Sequence, residues 1–72
     1  MEKEIFKTNL RVYRAQHHLT QEDLAKAVGV TRKTINTIEN EVFIPSAYLA
    51  LKIAKFFNEP FENIFYIEHK SE

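Results

Sequence analysis

Seventy-two residues without cysteine, with ten Lys and Arg against ten Asp and Glu, describe one small domain of formally zero net charge. A chain of this length buries only about 60% of the surface its unfolded form exposes, enough for one hydrophobic core and too little for large catalytic machinery. The absence of cysteine excludes a disulfide scaffold and thiolate zinc sites, and no apolar run approaches the roughly 18 residues of a membrane span. Met1-Glu2-Lys3-Glu4 lacks the basic start and apolar stretch of a leader, so a cytoplasmic protein without membrane contact is expected.

Gly29 and the prolines Pro45 and Pro60 are too few turn residues for a series of short strands, so an all-α fold of five helices is expected. Leu10, Tyr13 and Arg14 share a helical face and predict a first helix over Thr8 to about His17. Thr20 caps a second helix that starts at Gln21, with Asp23 completing a capping box and Leu19 and Leu24 at staple spacing. Leu24, Ala25 and Val28 form its buried stripe, and Gly29 ends it where a left-handed residue costs least. Thr31 caps a third helix running to Glu39, with Val30 and Ile35 at staple positions and Ile35 and Ile38 inward. Beyond an irregular apolar connection from Glu41 to Pro45, Ser46 caps a fourth helix whose Leu49, Ala50, Ile53, Ala54 and Phe57 face the core. Asn58-Glu59-Pro60 stops it, a last helix covers about Phe61 to Ile64, and Tyr66-Ile67 either extends as a strand or packs on a partner. The whole, 1–72, reads as a single unit with its core over about 8–65, a short N-terminal extension and a C-terminal tail.

Function concentrates in the second and third helices. Two short helices joined by a glycine turn cross steeply and leave the second protruding with one face unburied. With Ile35 and Ile38 inward, that face carries Arg32, Lys33, Thr34, Asn36, Thr37 and Asn40, with Thr31 at its amino end: two cations, uncharged hydrogen-bonding groups and no acid. This chemistry suits base edges in a major groove, where Arg or Lys meets guanine, Asn meets adenine and a Thr methyl touches thymine. Gln21 stands at the amino end of the preceding helix, where free N–H groups favour a phosphate.

Leu19-Thr20-Gln21-Glu22-Asp23-Leu24-Ala25, Gly29-Val30-Thr31-Arg32-Lys33-Thr34-Ile35, Ile38-Glu39-Asn40 and Pro45-Ser46 together resemble the helix-turn-helix domain of the Cro/phage-repressor (XRE-like) regulators over Leu10 to Phe65. The resemblance implies a five-helix, lambda-repressor-like domain, usually a homodimer, whose third helix enters the major groove of a two-fold symmetric double-stranded operator. It places Gln21, Arg32, Lys33, Thr34 and Thr37 at base- and phosphate-contacting positions, Asn40 at a position touching the phosphate backbone, and Arg14 with Glu39 in an ion pair joining the first helix to the third. A repressor acting by occupying promoter DNA is the reading this favours. An antitoxin-like or activator role, and a protein-interaction module on the same fold, stand as alternatives.

Three positions depart from the pattern. His18 stands where glycine is common, a place His accepts because it is enriched at positive φ. Glu41 also replaces a common glycine and is expected to bring a negative charge near the phosphates. The chain ends soon after the fifth helix, so no small-molecule effector domain and no cofactor are expected.

His17, His18 and His69 are too scattered for a metal site, and no Ser/His/Asp set, phosphate loop or converging acids point to an enzyme. Phe43, Phe56, Phe61, Phe65 and Tyr66 are many aromatics for one small core, and a two-fold dimer interface over them is expected. The zero net charge averages two unlike halves. Lys7 to Thr37 holds six positive charges against two negative, whereas from Glu41 onward three lysines meet five glutamates, so the basic half should face phosphate.

Overall fold

A computed structural model describes residues 2–71. They run in the order β1 (Glu2–Thr8), α1 (Leu10–Gln16), α2 (Gln21–Val28), α3 (Arg32–Glu39), α4 (Ala47–Phe57), α5 (Phe61–Ile64) and β2 (Phe65–Ser71). The helices surround one apolar cluster to which Leu10, Leu24, Ile35, Ile38, Ile53 and Ile64 contribute fully buried side chains. Apolar positions three and four apart put one stripe of each helix into this cluster, α4 supplying Leu49, Ala50, Ile53, Ala54 and Phe57. The staple residues Leu19 and Val30 pack against it from outside.

The all-α expectation is overturned, because β1 and β2 pair antiparallel from Glu2↔Ser71 to Thr8↔Phe65. Scarcity of turn residues argues only against hairpins, in which consecutive strands share a tight turn. This ribbon joins the two ends of the chain and needs no turn. Phe6 and Phe65 lie on one face of it and stack with ring centroids 6.1 Å apart, which anchors the ribbon to the core. The first helix is correspondingly shorter than Thr8 to about His17. Thr8 is the last residue of β1, and its hydroxyl donates to Ile64 O (2.8 Å) while accepting from Leu10 N–H (3.1 Å). Of the two fates open to Tyr66-Ile67, the strand is realised.

Among the described residues, four take left-handed backbone angles: Gly29 (φ 77°), His18 (56°), Glu41 (63°) and Asn58 (56°). Gly29 closes α2 and Asn58 closes α4, as C-terminal residues of helices commonly do. Among the described residues no helix is long and apolar enough to cross a membrane.

Candidate nucleic-acid interface

The segment from Thr20 to Asn40 is fixed at its corners by its own side chains. Thr20 Oγ1 accepts from Asp23 N–H and Asp23 Oδ2 accepts from Thr20 N–H, both at 3.0 Å, so two free donors of the first turn are satisfied reciprocally. These bonds from the Thr20 backbone and side chain hold the Asp23 carboxyl below its ordinary value, outweighing slight desolvation. Thr31 Oγ1 accepts from Thr34 N–H at 3.2 Å and starts α3 in the same way. Between the two helices Gly29 turns the chain, and Val30 N–H closes on Ala25 O at 2.9 Å.

On α3, Ile35, Ile38 and Glu39 are buried, Arg32, Lys33 and Asn40 are exposed, and Thr34, Asn36 and Thr37 are half-buried. The outward face therefore shows two cations and neutral polar groups, with the helix's one acid turned inside. The Thr37 hydroxyl donates back to Lys33 O (3.1 Å) and Thr34 O (3.0 Å). Its methyl is thereby the more available end, and it is the methyl that suits a thymine contact.

Glu39 is the hub beneath this face, its side chain fully buried. Arg14 reaches it with Nε at 2.7 Å and Nη2 at 3.1 Å, and caps the neighbouring corner by donating from Nη1 to Leu19 O at 2.8 Å. Gln21 Nε2 donates to the same carboxylate at 3.0 Å, and Arg11 Nε lies 3.4 Å from it. Burial alone would raise the Glu39 carboxyl, but hydrogen bonds from Arg14 and Gln21, the Arg14 charge and the Arg11 bond hold it below its usual range. The resemblance anticipates Arg14 with Glu39. Gln21 and Arg11 as further donors are additions, and Arg11 is the residue sequence reasoning missed. Its spacing of three from Arg14 places both guanidiniums on one side of α1, a signal legible in the sequence.

Asn36 and Asn40 join this hub. Asn36 Nδ2 donates to Gln21 Oε1 (3.4 Å), Asn40 Nδ2 to Asn36 Oδ1 (3.2 Å), and Arg11 Nη2 to Asn40 Oδ1 (3.1 Å). Gln21, Asn36 and Asn40 thus form one connected patch. Arg32, Lys33, Thr34 and Thr37 flank it on the same helix.

Glu41 behaves differently from its expectation. Its carboxylate turns away from the face, accepting Thr8 N–H at 3.0 Å and meeting Lys7 Nζ at 3.2 Å, so its charge is met within the fold. The aromatic set divides as well. Phe65 is nearly buried, at 4% exposure, and reaches only the wall of an apolar groove, whereas Phe43, Phe56, Phe61 and Tyr66 are exposed. Phe61 and Tyr66 line an open apolar groove of about 480 Å³ with Ile44, Ala47, Ala50 and Ile67, and Phe43 and Phe56 lie outside it. His17 packs its ring 5.1 Å from Phe57 and His69 lies 3.6 Å from Glu2, so neither approaches the α2–α3 face.

A capped two-helix unit with a glycine turn, its second helix presenting a cationic face, defines the class of helix-turn-helix proteins. A family profile described as helix-turn-helix matches residues 10–64. An HTH-type transcriptional regulator of Methanocaldococcus jannaschii is 56% identical over 62 residues, 86% of this chain and 94% of that one. The HTH-type transcriptional regulator YgzD of Bacillus subtilis is 40% identical over 65 residues, 90% of this chain and 98% of its own. Among solved structures, the SOS-response transcriptional repressor LexA of Eubacterium rectale superposes with a TM-score of 0.73 at 33% identity, over 76% of this chain and 58% of that chain. A Bacteroides fragilis structure at 21% identity (TM-score 0.77, 86% of this chain and all of that one) shares the fold alone. The chain belongs to the helix-turn-helix transcriptional regulators of the Cro/C1 (XRE-like) type.

Proposed function

We propose that the protein is a sequence-specific repressor that binds double-stranded DNA as a homodimer, with α3 in the major groove of a two-fold symmetric operator. The observation that carries this reading is the outward face of α3, where Arg32 and Lys33 stand exposed and the helix's single acid is buried. Arg32, Lys33, Thr34, Asn36 and Thr37 are assigned to base edges and nearby phosphates, and Thr31, Gln21 and Asn40 to the phosphate backbone at the helix ends. Withdrawal of Glu41 toward Lys7 supports the assignment, because it removes the one negative charge expected near the phosphates. Self-association is placed on the apolar groove with Phe61 and Tyr66, on the half of the chain where acids outnumber bases.

The test is selection of binding sites from a random duplex pool, with stoichiometry and salt dependence measured on the winning sequence. A two-fold symmetric site bound by two protomers, with affinity falling steeply as salt rises, is expected. Arg32→Ala with Lys33→Ala should then lower affinity at least tenfold, since each lost phosphate or guanine contact is worth about 1 kcal/mol or more. Unchanged affinity in that double variant, or salt-insensitive binding, would sink the proposal in favour of a protein-interaction module.

A further inference from the structure

We propose that Arg11 is a positioning residue for base readout, fixing which hydrogen-bonding atoms Asn36 presents to the DNA. The inference rests on the DNA-binding reading and deepens it. It starts from a closed ring of five side chains: Glu39, Gln21, Asn36, Asn40 and Arg11.

The ring has a direction. A buried ionised carboxylate has no proton, so only the amide nitrogen of Gln21 can face Glu39, and the Gln21 oxygen is left to accept from Asn36. At the other end a guanidinium has no acceptor, so only the amide oxygen of Asn40 can face Arg11, and the Asn40 nitrogen is left to donate to Asn36 Oδ1. Three amides thus run between two charged groups of opposite sign. Flipping any one of them would set donor against donor or oxygen against oxygen.

Asn36 is the middle amide and lies on the outward face of α3. One Nδ2 hydrogen and one Oδ1 lone pair are occupied in the ring, and the remaining hydrogen and lone pair form the adjacent donor–acceptor pair that matches N7 and N6 of adenine. Of the links holding it, the one to Gln21 is the longer at 3.4 Å and the one to Asn40 the shorter at 3.2 Å. Order at Asn36 therefore depends on the Asn40 side, which Arg11 anchors at 3.1 Å. The core does not need Arg11 for this. Arg14 already meets Glu39 at 2.7 Å with its own side chain 17% exposed, whereas the Arg11 side chain is 61% exposed.

The experiment compares base preferences selected from the same random duplex pool by the unaltered protein, Asn36→Ala, Arg11→Met and Arg11→Lys, with salt dependence measured for each. Asn36→Ala identifies the base pair that Asn36 reads. Arg11→Met should relax preference at that pair by roughly fivefold or more and leave the pairs that depend on Lys33 unchanged. Arg11→Lys restores the charge but not the planar fork, so the preference should stay relaxed, with the salt slope close to that of the unaltered protein in both Arg11 variants. A second measurement on the DNA-free protein follows the Asn36 side-chain amide by NMR, which should lose protection from exchange in Arg11→Met. A uniform loss of affinity with unchanged preferences and a salt slope lower by about one would overturn the inference and make Arg11 a plain phosphate contact. If the unaltered protein selects no sequence, the DNA-binding reading falls first and the inference with it.

Discussion

At the residue scale the molecule turns on Glu39. A carboxylate with a fully buried side chain is tolerable only because two guanidiniums and an amide meet it, and removing its charge leaves the partly buried Arg14 without a counter-ion. Glu39→Gln should therefore cost about 3 kcal/mol. For a domain of this size that is a fall in Tm of roughly 10 °C or more, measurable by calorimetry. A change of under 2 °C would mean that the pair contributes little beyond geometry. The Arg14–Glu39 pair is visible in the sequence through family resemblance, and of its extension only the spacing of Arg11 from Arg14 is. Arg11, Gln21 and Asn40 meet only when the N-terminus of α2 and the C-terminus of α3 come to lie beside α1, and no local periodicity encodes that meeting.

At the element scale the capped helices were legible and the pairing of the ribbon was not, for one reason. Thr20, Thr31 and Ser46 each cap within three residues, accepting from Asp23, Thr34 and Leu49 N–H, so the sequence holds these boundaries locally. β1 and β2 pair residues at opposite ends of the chain, so although Tyr66-Ile67 is open to a strand, β1 is a short, mixed-polarity run and nothing local names its partner. The ribbon is tied to α3 through Glu41, immediately beyond the Asn40 C-cap, which holds Thr8 N–H and Lys7. Those bonds explain a non-glycine residue at φ 63°. A left-handed conformation costs about 1–2 kcal/mol in a residue with a Cβ, and here the strain accompanies two polar contacts. Glu41→Gly should relieve the strain but release β1, so amide exchange at Thr8 and its neighbours in the ribbon should quicken severalfold while α2 and α4 keep their protection. His18, also left-handed at φ 56°, is the contrast, because its side chain is exposed. His18→Gly should stabilise by about 0.5–1 kcal/mol without altering ribbon exchange. If both variants leave exchange in β1 untouched, Glu41 is not the tie between strand and helix.

At the scale of the whole molecule, formal neutrality conceals both the separation of basic and acidic halves and a common dependence on three ionised carboxylates. Glu39 is lowered against its burial by Arg14, Gln21 and Arg11, Asp23 by the Thr20 backbone and side chain, and Glu41 chiefly by the Thr8 N–H and then by Lys7. Each has a folded pKa below its unfolded value, the ordinary values being 4.5 for Glu and 3.8 for Asp. The unfolded chain therefore binds protons first as pH falls, and the stability these groups contribute is fully present above the ordinary values and lost as pH drops through the depressed ones. Urea midpoints should hold level from pH 7 to about 5.5 and fall steadily below about 4.5, as the carboxylates take up protons. Glu39→Gln removes the carboxyl with the most charged partners, so its curve should start lower and decline less steeply than that of the unaltered protein. Parallel curves for the two proteins would show that Glu39 titrates alike in the folded and unfolded chain, and that the hub is held by packing rather than by charge.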